Sequence, residues 1–216
     1  MRAGREALKL RVDLHVHSVN SGDSSVSLEM AVERCRTIGL DGLAITDHDF
    51  LTQIPGSLSV DDLIVFSGME VSARGAHILA FDIGEEVPPG LSIAETVSRI
   101  HELGGIAVIA HPYSVFRTWV NAGEIRRAGF DAVEVANAYQ FPYGWMLEKN
   151  RGLAEELDLP QTGGSDAHIP ATIGRAYTVF EVETGDIDGV LSALRRGRVE
   201  AAGSGVTLAE RLRLGV

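Results

Sequence analysis

Short apolar runs alternate with longer amphipathic stretches along the chain, and glycine or a polar cluster cuts off each run. Leu10–Leu14, Gly42–Ile45, Leu63–Phe66, Ala76–Phe81, Ile106–Ala110, Ala132–Ala136 and Tyr177–Val182 read as strands, being short and bounded by turn residues. A brief strand at Gln161 runs into a loop at Gly164, and Arg198–Ala202 predicts a final short strand. Between these runs the apolar positions recur at helical spacing. Ser27 predicts an N-cap for a helix over Leu28–Ile38 that Gly39 stops. Ser92 does the same for Ile93–Leu103 ahead of Gly104-Gly105, and further helices are predicted over Gly144–Leu157 and Asp186–Arg195. The tail, residues 203–216, is expected to be helical, with Leu208 and Leu212 on one face.

Strand-helix alternation predicts an α/β fold with a largely parallel sheet. No repeat, low-complexity tract or linker interrupts it, so residues 1–216 read as a single domain. Closure of the sheet follows from the polar residues. His15, His17, His48, Glu70, His111, Asn137, Asp166 and His168 all fall at or just beyond the C-terminal ends of successive strands. In a closed barrel those ends meet at one mouth, whereas in an open sheet the outer ones stand too far apart to share a site.

Those residue types suit a divalent metal. Side chains at i and i+2 of a strand share a face, so His15 and His17 aim two imidazoles at one point. Imidazole with carboxylate oxygen, and no sulfur, fits zinc, manganese or iron. Six of the seven histidines lie near a strand edge or in the loop after one, and His101, within a helix, reads as a surface residue.

The 216 residues carry a formal charge of −11, which disfavours a broad grip on duplex nucleic acid. Two or three bound divalent ions would reduce that excess to about −7 or −5. The lone cysteine, Cys35, excludes an internal disulfide and fits a reducing cytoplasm, where it reads as an inert thiol. No apolar run is long enough for a membrane span, and Met1–Lys9 has no signal-peptide core.

The motifs Asp13-Leu14-His15-Val16-His17-Ser18, Thr46-Asp47-His48, Gly68-Met69-Glu70-Val71-Ser72, His111-Pro112 and Gly164-Ser165-Asp166-Ala167-His168, in that order, resemble those of the PHP (polymerase and histidinol phosphatase) family. Within it the chain looks most like the small stand-alone metal-dependent phosphoesterases. The resemblance implies a distorted (β/α)7 TIM-like barrel with two or three divalent ions at its mouth. Carried over, His15, His17, Glu70 and Asp166 would hold the first ion, and Glu70 would bridge to a second on His77 and His111. Asp23, His48 and His168 would hold the third, where the aspartate replaces a histidine found in some relatives and admits magnesium or manganese. Glu70, Asp166 and His168 are then the expected catalytic residues, acting on a small phosphorylated substrate without a covalent intermediate.

Arg117, Arg175 and Asn137 are the candidates for contact with substrate, and Asp13 and Asp47 either orient imidazoles or cap turns. Tyr139, Phe141, Tyr143 and Trp145 form an aromatic cluster that would either stack a base or fill core. Two other readings compete. An amidohydrolase also places His-x-His after its first strand, but typically bridges its metals through a lysine, and Ile106–Ala110 and Ala132–Ala136 contain none. A metal-binding module without activity would have lost ligands, yet each matched position is filled. The oligomeric state is left open.

Overall fold

The computed structural model describes residues 7–54, 63–114 and 118–214. Arg117 lies outside them. Strand β1 (Leu8–Val16) pairs in parallel with β2 (Gly42–His48), and β2 with β3 (Ile64–Ala73). Strand β4 (Ala76–Phe81) turns back on β3, and β5 (Ile106–Ala110) lies antiparallel to β4. A small ribbon of β6 (Tyr113–Ser114) and β7 (Thr118–Trp119) stands apart from the main sheet. The main sheet continues in parallel through β8 (Ala132–Asn137) to β9 (Gln161–Gly164). On the other side of β1 lie β10 (Ala176–Val182) and β11 (Val199–Gly203), both antiparallel, for nine strands in the order β11-β10-β1-β2-β3-β4-β5-β8-β9.

The expected barrel is present as this nearly closed sheet, with nine strands rather than seven. Its distortion comes from the β3–β4 hairpin. The sequence pattern ended the third strand at Phe66, but the strand runs on to Ala73. Ala73 pairs with Ala76, leaving Arg74-Gly75 as a two-residue turn with Gly75 at φ +91°.

Closure depends on glycine. A Cβ on Gly163 would lie 2.7 Å from the Tyr177 carbonyl oxygen, and one on Gly164 would lie 2.4 Å from the Cβ of His15. Only the bare backbone lets β9 approach β10 and β1 so closely. The Gly163 amide then donates to Thr178 Oγ1 at 2.9 Å, which ties the two ends of the sheet together.

The helices flank the sheet, and the one over Ile187–Arg195 packs against its interior residues. Ser27 Oγ accepts from the Met30 amide to start α1 (Leu28–Ile38), and Gly39 ends it at φ 67°. Ser92 and Glu95 form a reciprocal capping box on α2 (Ile93–Glu102). The sequence pattern did not separate α3 (Ala122–Ala128), which Asn121 caps and Gly129 ends. Helices α4 (Tyr143–Leu157), α5 (Ile187–Arg195) and α6 (Leu208–Leu214) complete the fold. Leu10, Val12, Phe66, Phe81, Val108, Ala132 and Phe180 fill the barrel interior together with Leu191 and Leu194 of α5. Cys35, on the inner face of α1, is buried, and burial pushes its thiol up, so it stays protonated. Among the described residues, no helix is long and apolar enough to cross a membrane.

Candidate metal centre

Two β-bulges aim the site. Between Asp13 and Val16, β1 spends three residue steps where β2 spends two. That extra residue turns His15 and His17 onto the interior face that Leu10 and Val12 occupy lower in the strand. Strand β8 carries a second bulge between Glu134 and Ala136, which brings Glu134 and Asn137 onto one face despite their spacing of three. His48 and Glu70 are register partners on β2 and β3. His77 begins its strand yet reaches the same rim, because β4 runs antiparallel and pairs His77 with Ala110, next to His111. Asp166, at φ 54°, and His168 follow the end of β9.

The side chains converge closely. His15 Nε2 lies 3.3 Å from Glu70 Oε2 and 3.5 Å from Asp166 Oδ1. His17 Nε2 lies 3.3 and 3.2 Å from the same two oxygens. Ligand atoms set tetrahedrally at 2.0–2.2 Å from one ion lie about 3.3–3.6 Å apart, so these four atoms have the spacing of a metal shell. The other Glu70 oxygen, Oε1, is 2.9 Å from His77 Nδ1 and 3.0 Å from His111 Nε2. Asp23 Oδ2 lies 3.5 Å from His48 Nε2 and 3.3 Å from His168 Nε2. His48 stands between the groups, its Nδ1 being 3.0 Å from Glu70 Oε2. His17, His48 and His168 also form a candidate cluster of their own.

Hydrogen bonds fix which imidazole nitrogen faces the centre. His15 Nδ1 donates to Glu134 Oε1 at 2.8 Å, which leaves the Nε2 lone pair pointing inward. His17 Nδ1 meets Ser21 Oγ at 3.0 Å, and Ser21 Oγ in turn donates to Asp47 Oδ1 at 2.9 Å. Asp47 therefore orients an imidazole through a serine, and it also receives Ser18 and Thr52. Asp13 takes the other role foreseen for it. It accepts the backbone amides of His15, Ser165 and Gly174, and burial pushes its carboxyl up to about 6 against those bonds. His168 Nδ1 donates to the Asp166 carbonyl, leaving Nε2 toward the cavity.

Four buried side-chain atoms among the described residues have no hydrogen-bond partner: Arg34 Nε on α1, and three at this site, His15 Nε2, His17 Nε2 and Glu70 Oε2. All three belong to the four-atom shell, and stranding them is costly without a cation among them. Burial pushes Glu70 and Asp166 up, but the neighbouring histidines, His15 foremost, outweigh it and hold both carboxyls well below their usual range. Conversely, burial lowers His15, yet Glu134, Asp166 and Glu70 together hold it well above the ordinary imidazole value. The site attracts positive charge. A proton meets that demand at one atom, whereas a divalent ion meets it at all three.

Two substrate-contact candidates stand elsewhere than the sequence placed them. Asn137 is fully buried beneath the site, its amide donating to Glu134 Oε2 and Asp166 Oδ2 and its oxygen accepting from the Tyr139 and Gln140 amides. With donors and acceptor engaged in this way, it braces Asp166. Arg175 pairs with Glu210 of α6. Of the aromatic cluster, Tyr139 stands beside His168 with ring centroids 5.5 Å apart, while Phe141 and Trp145 are half-exposed rather than core. His101 pairs with Asp131 at the surface, as its place in a helix predicted.

Glu134 is the residue that sequence reasoning missed. It holds His15, the His111 amide and Asn137 at once. The signal was present as a single acid inside the apolar run Ala132–Ala136. Glu134→Gln is expected to weaken metal affinity about 10- to 100-fold, since the charged acceptor behind His15, a candidate ligand, is lost and an amide nitrogen is set against donors. Metal titration followed by calorimetry checks this, and an affinity equal to wild type would show that His15 needs no such partner.

A PHP domain model matches residues 13–109, and a PHP-associated model matches residues 145–199. An uncharacterized protein of Methanocaldococcus jannaschii is 32% identical over 146 residues, covering 60% of this chain and 83% of that one. A protein of Caldicellulosiruptor saccharolyticus named a probable phosphatase is 26% identical over 205 residues, covering 77% of this chain and 83% of the relative. Among solved structures, a two-domain Bacteroides vulgatus protein containing a predicted PHP-like metal-dependent phosphoesterase superposes with a TM-score of 0.74 at 19% identity. That match covers 92% of this chain, which spans 66% of the two-domain protein. With the ordered motifs, the nearly closed sheet and both models in agreement, the chain belongs to the PHP family of metal-dependent phosphoesterases.

Proposed function

We propose that the protein hydrolyses a small phosphate ester, a phosphomonoester, nucleotide or short oligonucleotide, with two or three divalent ions held at the barrel mouth. The observation that carries this is the trio of stranded buried atoms, His15 Nε2, His17 Nε2 and Glu70 Oε2, behind a cavity of about 600 Å³ that Glu70 and Asp166 line. The phosphatase name of the Caldicellulosiruptor relative supports the same chemistry.

His15, His17, Glu70 and Asp166 would hold the first ion, Glu70 with His77 and His111 the second, and Asp23 with His48 and His168 the third. Nitrogen and carboxylate donors favour zinc, manganese or iron, with magnesium admissible beside the exposed Asp23. Divalent ions held there would supply Lewis acidity toward the phosphoryl oxygens and a lowered pKa for bound water. The protein's own residues do the positioning. Glu70 would serve both of the first two ions through its two oxygens, and Glu134, Ser21 and the Asp166 carbonyl orient the imidazoles of His15, His17 and His168. The carboxylates remain ionised beside the histidines.

The purified protein, tested against a panel of phosphomonoesters and phosphodiesters, is expected to release phosphate or alcohol with manganese or zinc and to stop with chelator. A protein that retains its metals but leaves the whole panel untouched would instead be a regulatory module.

A further inference from the structure

Helix α6 closes one side of the cavity. Leu214 lines it, and so do Tyr139 and Ile169, whereas Asp23, Ser24 and Ser25 line it too and supply polar groups. Leu208 and Leu212, the apolar pair read from the sequence, stay exposed, so α6 docks by other means. Arg211 Nη2 donates to the Tyr139 carbonyl, and its guanidinium lies 4.8 Å over the Tyr139 ring and 5.8 Å from that of Phe141. Glu210 is used twice: one oxygen accepts from the Thr207 amide and hydroxyl at the helix start, and the other pairs with Arg175. The Val206 amide donates to the Ala138 carbonyl at 2.9 Å, next to Tyr139. Tyr139 and α6 are thus tied together at three points.

We propose that α6 is the specificity wall of the site, in which Leu214, Tyr139 and Ile169 form an apolar subsite for the organic group of the phosphate ester, and Arg175, Glu210 and Arg211 are positioning residues that hold the wall. The proposal rests on the phosphoesterase reading. A half-exposed leucine beside a metal-binding floor gains by covering, and a flat or branched apolar group carried on a phosphate seated below would cover it. Arg175, legible in the sequence as a phosphate donor, has its charge committed to Glu210 instead.

The test uses the full chain loaded with manganese and two unreactive ligands, phenylphosphonate and methylphosphonate, with affinities measured by calorimetry. Wild type is expected to prefer the phenyl compound by about tenfold or more, the scale on which an apolar pocket discriminates. Leu214→Ser should bring that preference to within about threefold of parity by lowering phenylphosphonate affinity more than methylphosphonate affinity. Glu210→Gln should do the same by releasing the wall, with circular dichroism showing the barrel intact. An unchanged preference in both variants, or no preference in wild type, overturns the wall. Because binding is read without turnover, the two readings fail separately. Phenyl selectivity in a protein that hydrolyses no ester upholds the wall and defeats the phosphoesterase reading, while hydrolysis without selectivity does the reverse.

Discussion

Glu70→Gln is expected to lower turnover by at least about two to three orders of magnitude, the scale of removing one preorganised electrostatic group. The position is singular in its geometry. Oε2 faces His15, His17 and His48 at 3.0–3.3 Å, while Oε1 faces His77 and His111 at 2.9–3.0 Å. The carboxylate is buried and held ionised by those histidines, so its charge is available to two cations at once. Glutamine keeps the shape, removes that charge and offers an amide nitrogen where an oxygen stood. Both shells lose a ligand together. His48→Ala removes a partner nearer the rim, beside Asp23, and is expected to leave part of the activity. Turnover, metal content and circular dichroism measured side by side check this. Near-normal turnover in Glu70→Gln with full metal content would show that Glu70 does not bridge.

Stripping the metals is the second large effect, and it should reach stability as well as activity. Glu70 and Glu134 are almost wholly buried, and Asp166 is largely so. Without cations the positive charge that answers them comes from imidazole protons, His15 above all, with neutral amides of His111 and Asn137 beside them. An ion present at a hundredfold its dissociation constant stabilises the folded state by about 2.7 kcal/mol. For a chain of this size each kcal/mol moves the melting midpoint by about 2–4 °C, so chelation should lower it by about 5–11 °C. Returning manganese or zinc should restore both the midpoint and the ester hydrolysis. A melting curve indifferent to chelator would remove the metals from the structural account and leave the stranded nitrogens of His15 and His17 unexplained.

The boundaries of α1, α2 and most strands were legible because they depend on local chemistry: Ser27 and Ser92 offer hydroxyls to unpaired amides, and Gly39 turns left-handed where other residues strain. Helix α3 escaped because seven residues give too short a period to stand out. The convergence of histidines and acids was legible too, since strand ends in a closed sheet share a rim. Neither bulge could be seen, because one extra residue in β1 or β8 is defined only against the neighbouring strand. For the same reason Glu134 looked like an acid lost in an apolar run, when the bulge beside it makes it the acceptor that orients His15. The chain by itself determined which residue types meet at the mouth, through the order of strands and the histidines at their ends. Only the tertiary structure decided where Arg175 and Asn137 went, to Glu210 and to Asp166, because a long or buried polar side chain takes the partner that folding brings within reach.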